Sequence, residues 1–260
     1  MHRHQRLDAL LGMVAQQGRV EVEKAAAELH VSLATVRRDL DHLAERQLLT
    51  RTRGGAVPSS VVYDLPGRHK AQNAQEKERI GAAAARLVQR GMAVGLGGGT
   101  TTREVCRALA TRADFNEGGS STAVTVVTNA LNIAHELAVR QNIKTVTTGG
   151  SARPQSFELT GPYAAATLHE VRLELAFLGV DAIDPEGGAY AHHEAEATIA
   201  RLLASRARQV IVVADASKLG AQAFARICPI SGIDMLITST NADDAVVAAF
   251  EMEGVKVRRV

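Results

Sequence analysis

The sequence predicts an α/β protein in two parts: a small helical head ending in a hairpin over residues 1–57, and a larger domain over 76–260. Three observations predict it. Apolar residues recur at three- and four-residue intervals through most of the first 45 positions. The run Arg51-Thr52-Arg53-Gly54-Gly55 then breaks that rhythm as a tight, basic hairpin tip does. Beyond residue 76, short β-branched runs alternate with helical patterns, the order of a mostly parallel sheet covered by helices. Between the two parts, 58–75 is broken by Pro, Gly, Ser, His and Asn and reads as a linker, with Pro66-Gly67 as its turn.

In the head, Leu7, Leu10, Leu11 and Val14 share one face of a helix over 4–17, and Gly18 is placed to stop it. Residues 20–22 form an extended link to a second helix over 23–29, which packs through Ala25, Ala26 and Leu29. After a turn at His30-Val31, Ser32 is a natural N-cap, because its hydroxyl can accept from a first-turn N–H. Val36, Leu40 and Leu43 make the buried face of the helix that follows, which gives way at Gln47-Leu48-Leu49. Thr35, Arg37 and Arg38 point elsewhere. Three helices and a basic hairpin in this order are a winged helix-turn-helix, a unit that meets double-stranded DNA. Thr35, Arg37 and Arg38 are then expected in the major groove, with Arg51, Arg53 and Gly54 contacting phosphates from the wing. Ser32 can bond a phosphate as well as cap its helix. A second reading of Arg37 is a solvated helix charge paired with Asp41, four residues on. Residues 1–57 hold nine Lys/Arg against seven Asp/Glu, so the argument rests on where the arginines cluster and not on bulk charge.

The second part opens with a helical pattern through Ile80, Ala84, Leu87 and Val88 that ends at Gly91. Strands are expected at 92–96, 124–127, 144–147, 176–180, 209–214 and 235–238, with helices at 101–110, 131–140 and 195–207. In such sheets ligands sit beyond the carboxyl ends of the strands, and five polar motifs fall at such ends. The first is Gly95-Leu96-Gly97-Gly98-Gly99-Thr100-Thr101-Thr102, between a strand and a helix. Its glycines allow close backbone approach and the helix start offers N–H groups to an anion; a purely structural Gly-rich turn is the other reading. It has neither the Gly-Lys-Ser/Thr ending of a P-loop nor the register of a dinucleotide fingerprint. Thr128-Asn129 follows the next strand, where Asn129 is also a candidate helix cap. Gly149-Gly150-Ser151-Ala152-Arg153 offers a guanidinium fork suited to a phosphate, or a solvated charge. Gly179-Val180-Asp181 and Asp215-Ala216-Ser217-Lys218 complete the set.

Several chemistries are disfavoured. Cys106 and Cys228 have no paired spacing and read as two structural thiols in a reducing cytosol, with a disulfide as the less favoured reading. Neither a signal peptide nor a run approaching the roughly 20 apolar residues of a membrane span is present, so a cytoplasmic chain without membrane contact is expected. Adjacent His192 and His193, with Glu194 and Glu196, do not share one side of a backbone, and no metal site or cofactor is expected. No strand–turn Ser motif suggests a nucleophile.

The residues resemble the DeoR-type bacterial transcription regulators over nearly the whole chain. VSLATVRRDLDHLAERQLLTRTRGGA, residues 31–56, is similar to that family's helix-turn-helix through its wing. Glu76-Lys77 with Ile80, Gly99-Thr100-Thr101-Thr102, Val127-Thr128-Asn129, Gly149-Gly150 with Arg153, and Gly161-Pro162 match its sensor domain in order. So do Ala176-Phe177-Leu178-Gly179, Glu196-Ala197 and Ala214-Asp215-Ala216-Ser217-Lys218. The resemblance implies a fold related to ribose-phosphate isomerases and CoA transferases. It also implies a phosphorylated sugar or sugar derivative as effector, held by Gly98, Gly99, Thr100, Thr101, Thr102, Thr128, Asn129, Gly149, Gly150, Arg153, Gly179, Asp181, Glu196 and Lys218. The chain departs from the family where Gly97 and Gly98 stand for its usual Asp-Ser, Ala189-Tyr190-Ala191 for Leu-Thr-Thr, and Ala200 for a Lys or Arg. The effector's sugar is therefore not carried over. The expectation is a repressor of a carbohydrate-metabolism operon, acting as a dimer or tetramer. One rival is a sugar-phosphate isomerase with an appended DNA-binding head, using Asp181, Glu196 or Lys218 as base. Another is an architectural DNA-binding protein whose α/β domain only oligomerises.

Overall fold

The computed structural model describes residues 3–17, 19–45, 49–58, 73–116 and 122–260. The chain divides into two compact units, 1–67 and 68–260. Gly18, the helix end at 47–48 and most of the 58–75 linker, including Pro66-Gly67, lie outside the described residues.

The first unit contains α1 (Arg3–Gln17), β1 (Val20–Glu21), α2 (Val22–Glu28), α3 (Leu33–Glu45), β2 (Leu49–Thr52) and β3 (Gly55–Pro58). The strands form a small antiparallel sheet in the order β1-β3-β2. What reads as an extended link at 20–22 is thus a strand, and α2 starts one residue earlier than its apolar pattern predicts. Leu10, Val14, Ala25, Val36, Leu40, Leu43 and Leu49 close one core, so each helix buries the face its periodicity predicts. Ser32 caps α3 as expected, its Oγ accepting from Thr35 N at 3.2 Å. Asp39 is a buried carboxylate inside this core, and Arg6 of α1 grips both of its oxygens.

The second unit is a seven-stranded sheet in the order β15-β14-β12-β9-β4-β5-β6, every pair parallel. Its strands are β4 (Ala93–Leu96), β5 (Val124–Thr128), β6 (Ile143–Thr147), β9 (Leu173–Leu178), β12 (Ala207–Val213), β14 (Met235–Thr238) and β15 (Lys256–Arg259). A core lies on each face of the sheet. Leu175 and Phe177, with Ile211 and Val213, face one core; Ala176 and Leu178, with Val210 and Val212, face the other. This two-residue alternation inside all-apolar strands is what burial on both sides requires. The helices α4 (Ala74–Ala85), α5 (Thr100–Ala110), α6 (Ala113–Asn116) and α7 (Leu131–Ala138) contribute Ile80, Leu109, Phe115 and Leu137 to the first core. The helices α8 (Pro162–His169), α9 (Glu194–Ser205) and α10 (Asp244–Met252) contribute Leu168, Leu203 and Phe250 to the second.

Two antiparallel additions decorate the sheet: β7 (Ser151–Ala152) with β8 (Leu159–Thr160), and β10 (Ala182–Asp184), β11 (Gly188–Ala191) and β13 (Ala225–Cys228) in the order β10-β11-β13. Both cysteines are free and buried, and burial pushes the Cys106 thiol up to about 12 and Cys228 up to about 11, so both stay protonated and inert at neutral pH. No described helix is long and apolar enough to cross a membrane.

The Arg6–Asp39 pair generates a prediction. Removing the guanidinium takes two hydrogen bonds and an ion pair from the buried Asp39 carboxylate beside the α3 core, so R6A should destabilise the first unit by about 2–4 kcal/mol. Amide exchange in the full-length protein checks it: protection at Val36 and Leu40 should fall while protection in β4 and β9 is unchanged.

Candidate functional site

In the first unit, the α3 face opposite its core carries the residues expected to meet DNA. Arg37, Arg38, Arg53 and Gly54 are exposed, and Thr35 is half-buried at the helix start. Ser32 Oγ and Thr35 Oγ1 share a hydrogen bond of 2.9 Å, so the two hydroxyls form one polar group. Arg38 folds back, its Nε donating to Ala34 O at 3.3 Å. Asp41 is not the partner of Arg37. It accepts from Arg51 Nε at 2.7 Å, while Arg51 Nη1 donates to Gly55 O. Arg51 therefore ties the wing to α3 with most of its fork, and this long-range use was hidden behind the nearer Arg37–Asp41 spacing.

In the second unit, all five polar motifs follow carboxyl ends of sheet strands, as expected. Strand order sets them side by side: 214–218 after β12, 179–181 after β9, 97–102 after β4, 128–129 after β5 and 148–153 after β6. The central two loops touch. A Cβ on Gly179 would stand 2.6 Å from Gly98 O, so this approach requires glycine. Gly99 turns into α5 at φ 112°, and its exposed neighbour Thr100 begins the helix. First-turn amides have no carbonyl behind them in their own helix, which makes this corner anion-accepting.

The hydroxyls divide differently from expectation. Thr102 Oγ1 donates to Gly98 O at 2.7 Å and Thr128 Oγ1 to Leu96 O at 2.7 Å, both fully buried, so these two threonines hold the loop and do not face a ligand. Asn129 does not cap α7, whose N-cap position is Ala130. Its buried amide donates instead to Glu158 Oε2 at 3.0 Å. Arg153 is not a solvated charge: Nη1 donates to the buried Glu196 at 2.9 Å and Nη2 lies 2.6 Å from His193 Nε2. Asp181 accepts from His192 N at 2.8 Å. Gly149 and Gly150 take φ of 69° and 115°, and a Cβ on Gly150 would stand 2.5 Å from Thr160 O. Lys218 closes a short 3-10 turn capped by Asp215, whose buried carboxylate also accepts from Asn73 Nδ2 at 3.0 Å and forms an ion pair with Lys77 Nζ at 3.7 Å.

Sequence reasoning missed Glu158. Burial, with Glu196 and Asp181 adding negative charge, pushes its carboxyl up to about 7 against the pull of Asn129 and Arg153. No local pattern marks it, because Asn129, which bonds it, lies 29 residues away and Gly98, whose side-chain space it fills, lies 60 away. The described residues contain no group of three His, Cys, Asp or Glu that could hold a metal ion. A cavity of about 410 Å³ lies at the amino ends of the strands, lined by Met92, Leu175, Ile211, Asp234 and Lys256, on the opposite side of the sheet from these motifs.

Comparison with known proteins fits both units. Residues 6–60 match the DeoR-like helix-turn-helix domain and residues 72–240 the DeoR C terminal sensor domain. The chain belongs to the DeoR family. It is 32% identical to the glycerol-3-phosphate regulon repressor of Escherichia coli, over 92% of this chain and 91% of the relative. It is 32% identical to the HTH-type transcriptional repressor GlcR of Bacillus subtilis, over 99% and 96%. The sorbitol operon regulator SorC of Klebsiella pneumoniae gives a TM-score of 0.41 at 13% identity, over 96% of this chain and 99% of that one. Ribose 5-phosphate isomerase A of Methanocaldococcus jannaschii gives 0.42 at 22% identity over 56% of this chain, which spans about half (54%) of the isomerase.

The raised carboxyl of Glu158 sets the sign of a pH effect. Below about pH 4.5 the group is protonated whether the DeoR-family chain is folded or not, and it contributes no difference. As pH rises through 7, folding must keep the proton or bury a charge, so stability falls. E158Q should therefore raise stability by about 1–3 kcal/mol at pH 8 and by little at pH 4.5. Urea unfolding at the two pH values checks it.

Proposed function

We propose that the chain is a DNA-binding transcriptional repressor of a carbohydrate-metabolism operon, released from its operator by a phosphorylated sugar or related metabolite. The observation that carries this reading is the pairing of a DeoR-like helix-turn-helix unit with a DeoR sensor domain in one chain. The relatives' names support it, among them a repressor named for the glycerol-3-phosphate regulon. In this reading Thr35, Arg37 and Arg38 address the major groove, while Arg53 and Gly54 meet phosphates from the wing, with Ser32 adding a hydroxyl. Arg51 acts chiefly by holding the wing. The effector's phosphate sits on the start of α5 beside Gly99 and Thr100, and Arg153, Asp181, Glu196 and Lys218 surround the rest of the molecule. The chain acts in the cytoplasm as a dimer or larger homo-oligomer, since one head offers too little interface for operator specificity. It is not an enzyme in this reading: the relatives are named as transcriptional repressors, and Arg153 and a backbone N–H engage Glu196 and Asp181, two of the three candidate bases.

Control requires that the effector bind the DNA-incompetent arrangement more tightly than the competent one. Fluorescence anisotropy on DNA from upstream of the protein's own operon tests this against a panel of sugar phosphates. Sequence-selective binding abolished by one compound supports the repressor; turnover of any compound by the purified protein would overturn it. R38A should weaken specific binding about tenfold to a hundredfold and relax one base preference. R53A should weaken all sequences alike and lower the salt slope by about one.

A further inference from the structure

The loop that starts α5 has no side chain at the two positions before Gly99. Gly98 is buried, and the space that a Cβ would take there is held by the Glu158 carboxyl group, with Oε1 foremost. The other oxygen is fixed by Asn129. The acidic group at this corner thus arrives from the β7–β8 hairpin, 60 residues further along the chain. The groups that face it are Asn129 after β5, Glu196 in the first turn of α9, Asp181 after β9, and Arg153 on its own hairpin, with His193 against Arg153.

We propose that Glu158 determines which ligands the 97–102 loop accepts, by meeting the ligand where a loop side chain would stand and by binding an anion only in its protonated form. The inference rests on the reading of the strand ends as the effector site. A dianionic group on the first turn of α5 would lie beside this carboxyl. The carboxylate repels it, whereas the acid donates a hydrogen bond to it. Burial holds that proton up to about 7, so the change of state falls within the working range. The ligand class that fits is a sugar or polyol carrying one phosphoryl group, with hydroxyls and no second anionic group at the Glu158 corner.

Sulfate is the probe, because its charge is constant between about pH 6 and pH 8.5. Its dissociation constant for the full-length protein is measured by calorimetry or by the thermal midpoint as a function of concentration. The wild type should bind about tenfold or more tightly at pH 6 than at pH 8.5. E158Q, which keeps the shape and removes the charge, should bind equally at both values. G98S should flatten the profile too, since its side chain takes the space that the Glu158 carboxyl group occupies and pushes that group aside. H193Q should keep the wild-type slope. A slope unchanged in E158Q, or lost in H193Q alone, overturns the proposal and leaves the effector site standing. Absence of binding to the wild type by sulfate and by every sugar monophosphate, at both pH values, overturns the effector site and the proposal together.

Discussion

The second unit depends on the side-by-side parallel pairing of β4 and β9 at the centre of its sheet. Parallel strands release their carboxyl ends on one edge, so every loop that follows them emerges at the same place. Pairing of Val94 with Leu175 and of Leu96 with Phe177 sets the two central loops in register. Gly97 N then donates to Phe177 O, and Gly98 O comes so close to Gly179 that a side chain on Gly179 would strike it. Thr102 and Thr128 lock the same backbone from below. The polar groups around this corner are placed by the sheet, and the sheet is placed by two apolar cores that share its strands.

Charge at that corner is more balanced than the sequence implies. A guanidinium after two glycines suggests an anion cradle, yet Arg153 is held by Glu196 and His193, and Glu158 and Asp181 lie nearby. The cationic character that remains comes from the start of α5, from Lys218 and from Lys77 beside Asp215. In the proposed site a ligand places its anionic end near α5 and its hydroxyl-bearing end toward Arg153, Glu196 and Asp181. That division suits a phosphorylated sugar better than a free anion.

Most of the fold is legible in the sequence because its signals are local. The Ser32 cap, the Val36–Leu40–Leu43 face and the Arg53-Gly54 turn each depend on residues a few positions apart. The apolar strands are equally plain, since β9 and β12 are buried on both faces. The edge strand Lys256–Arg259 is hidden because its charges face solvent at the end of the sheet, and α8 and α10 are hidden although Gly161-Pro162 and Asp243 mark their starts. What sequence cannot rank is competition for a partner. Asp41 lies four residues from Arg37 yet pairs with Arg51, and Asn129 stands before a helix yet bonds Glu158. In both cases a tertiary contact prevails over the local one: the wing brings the Arg51 fork to Asp41, and the β7–β8 hairpin brings a carboxyl group to Asn129.

The central claim is that a small anionic ligand is sensed at the carboxyl ends of the strands. Hydrogen exchange of the full-length protein, with and without a sugar phosphate found to release it from DNA, tests this most directly. The account predicts new protection at 98–102 and 149–153, together with changed protection in α3 and the wing. Protection confined to the cavity at the amino ends of the strands, around Met92, Leu175 and Lys256, would contradict it.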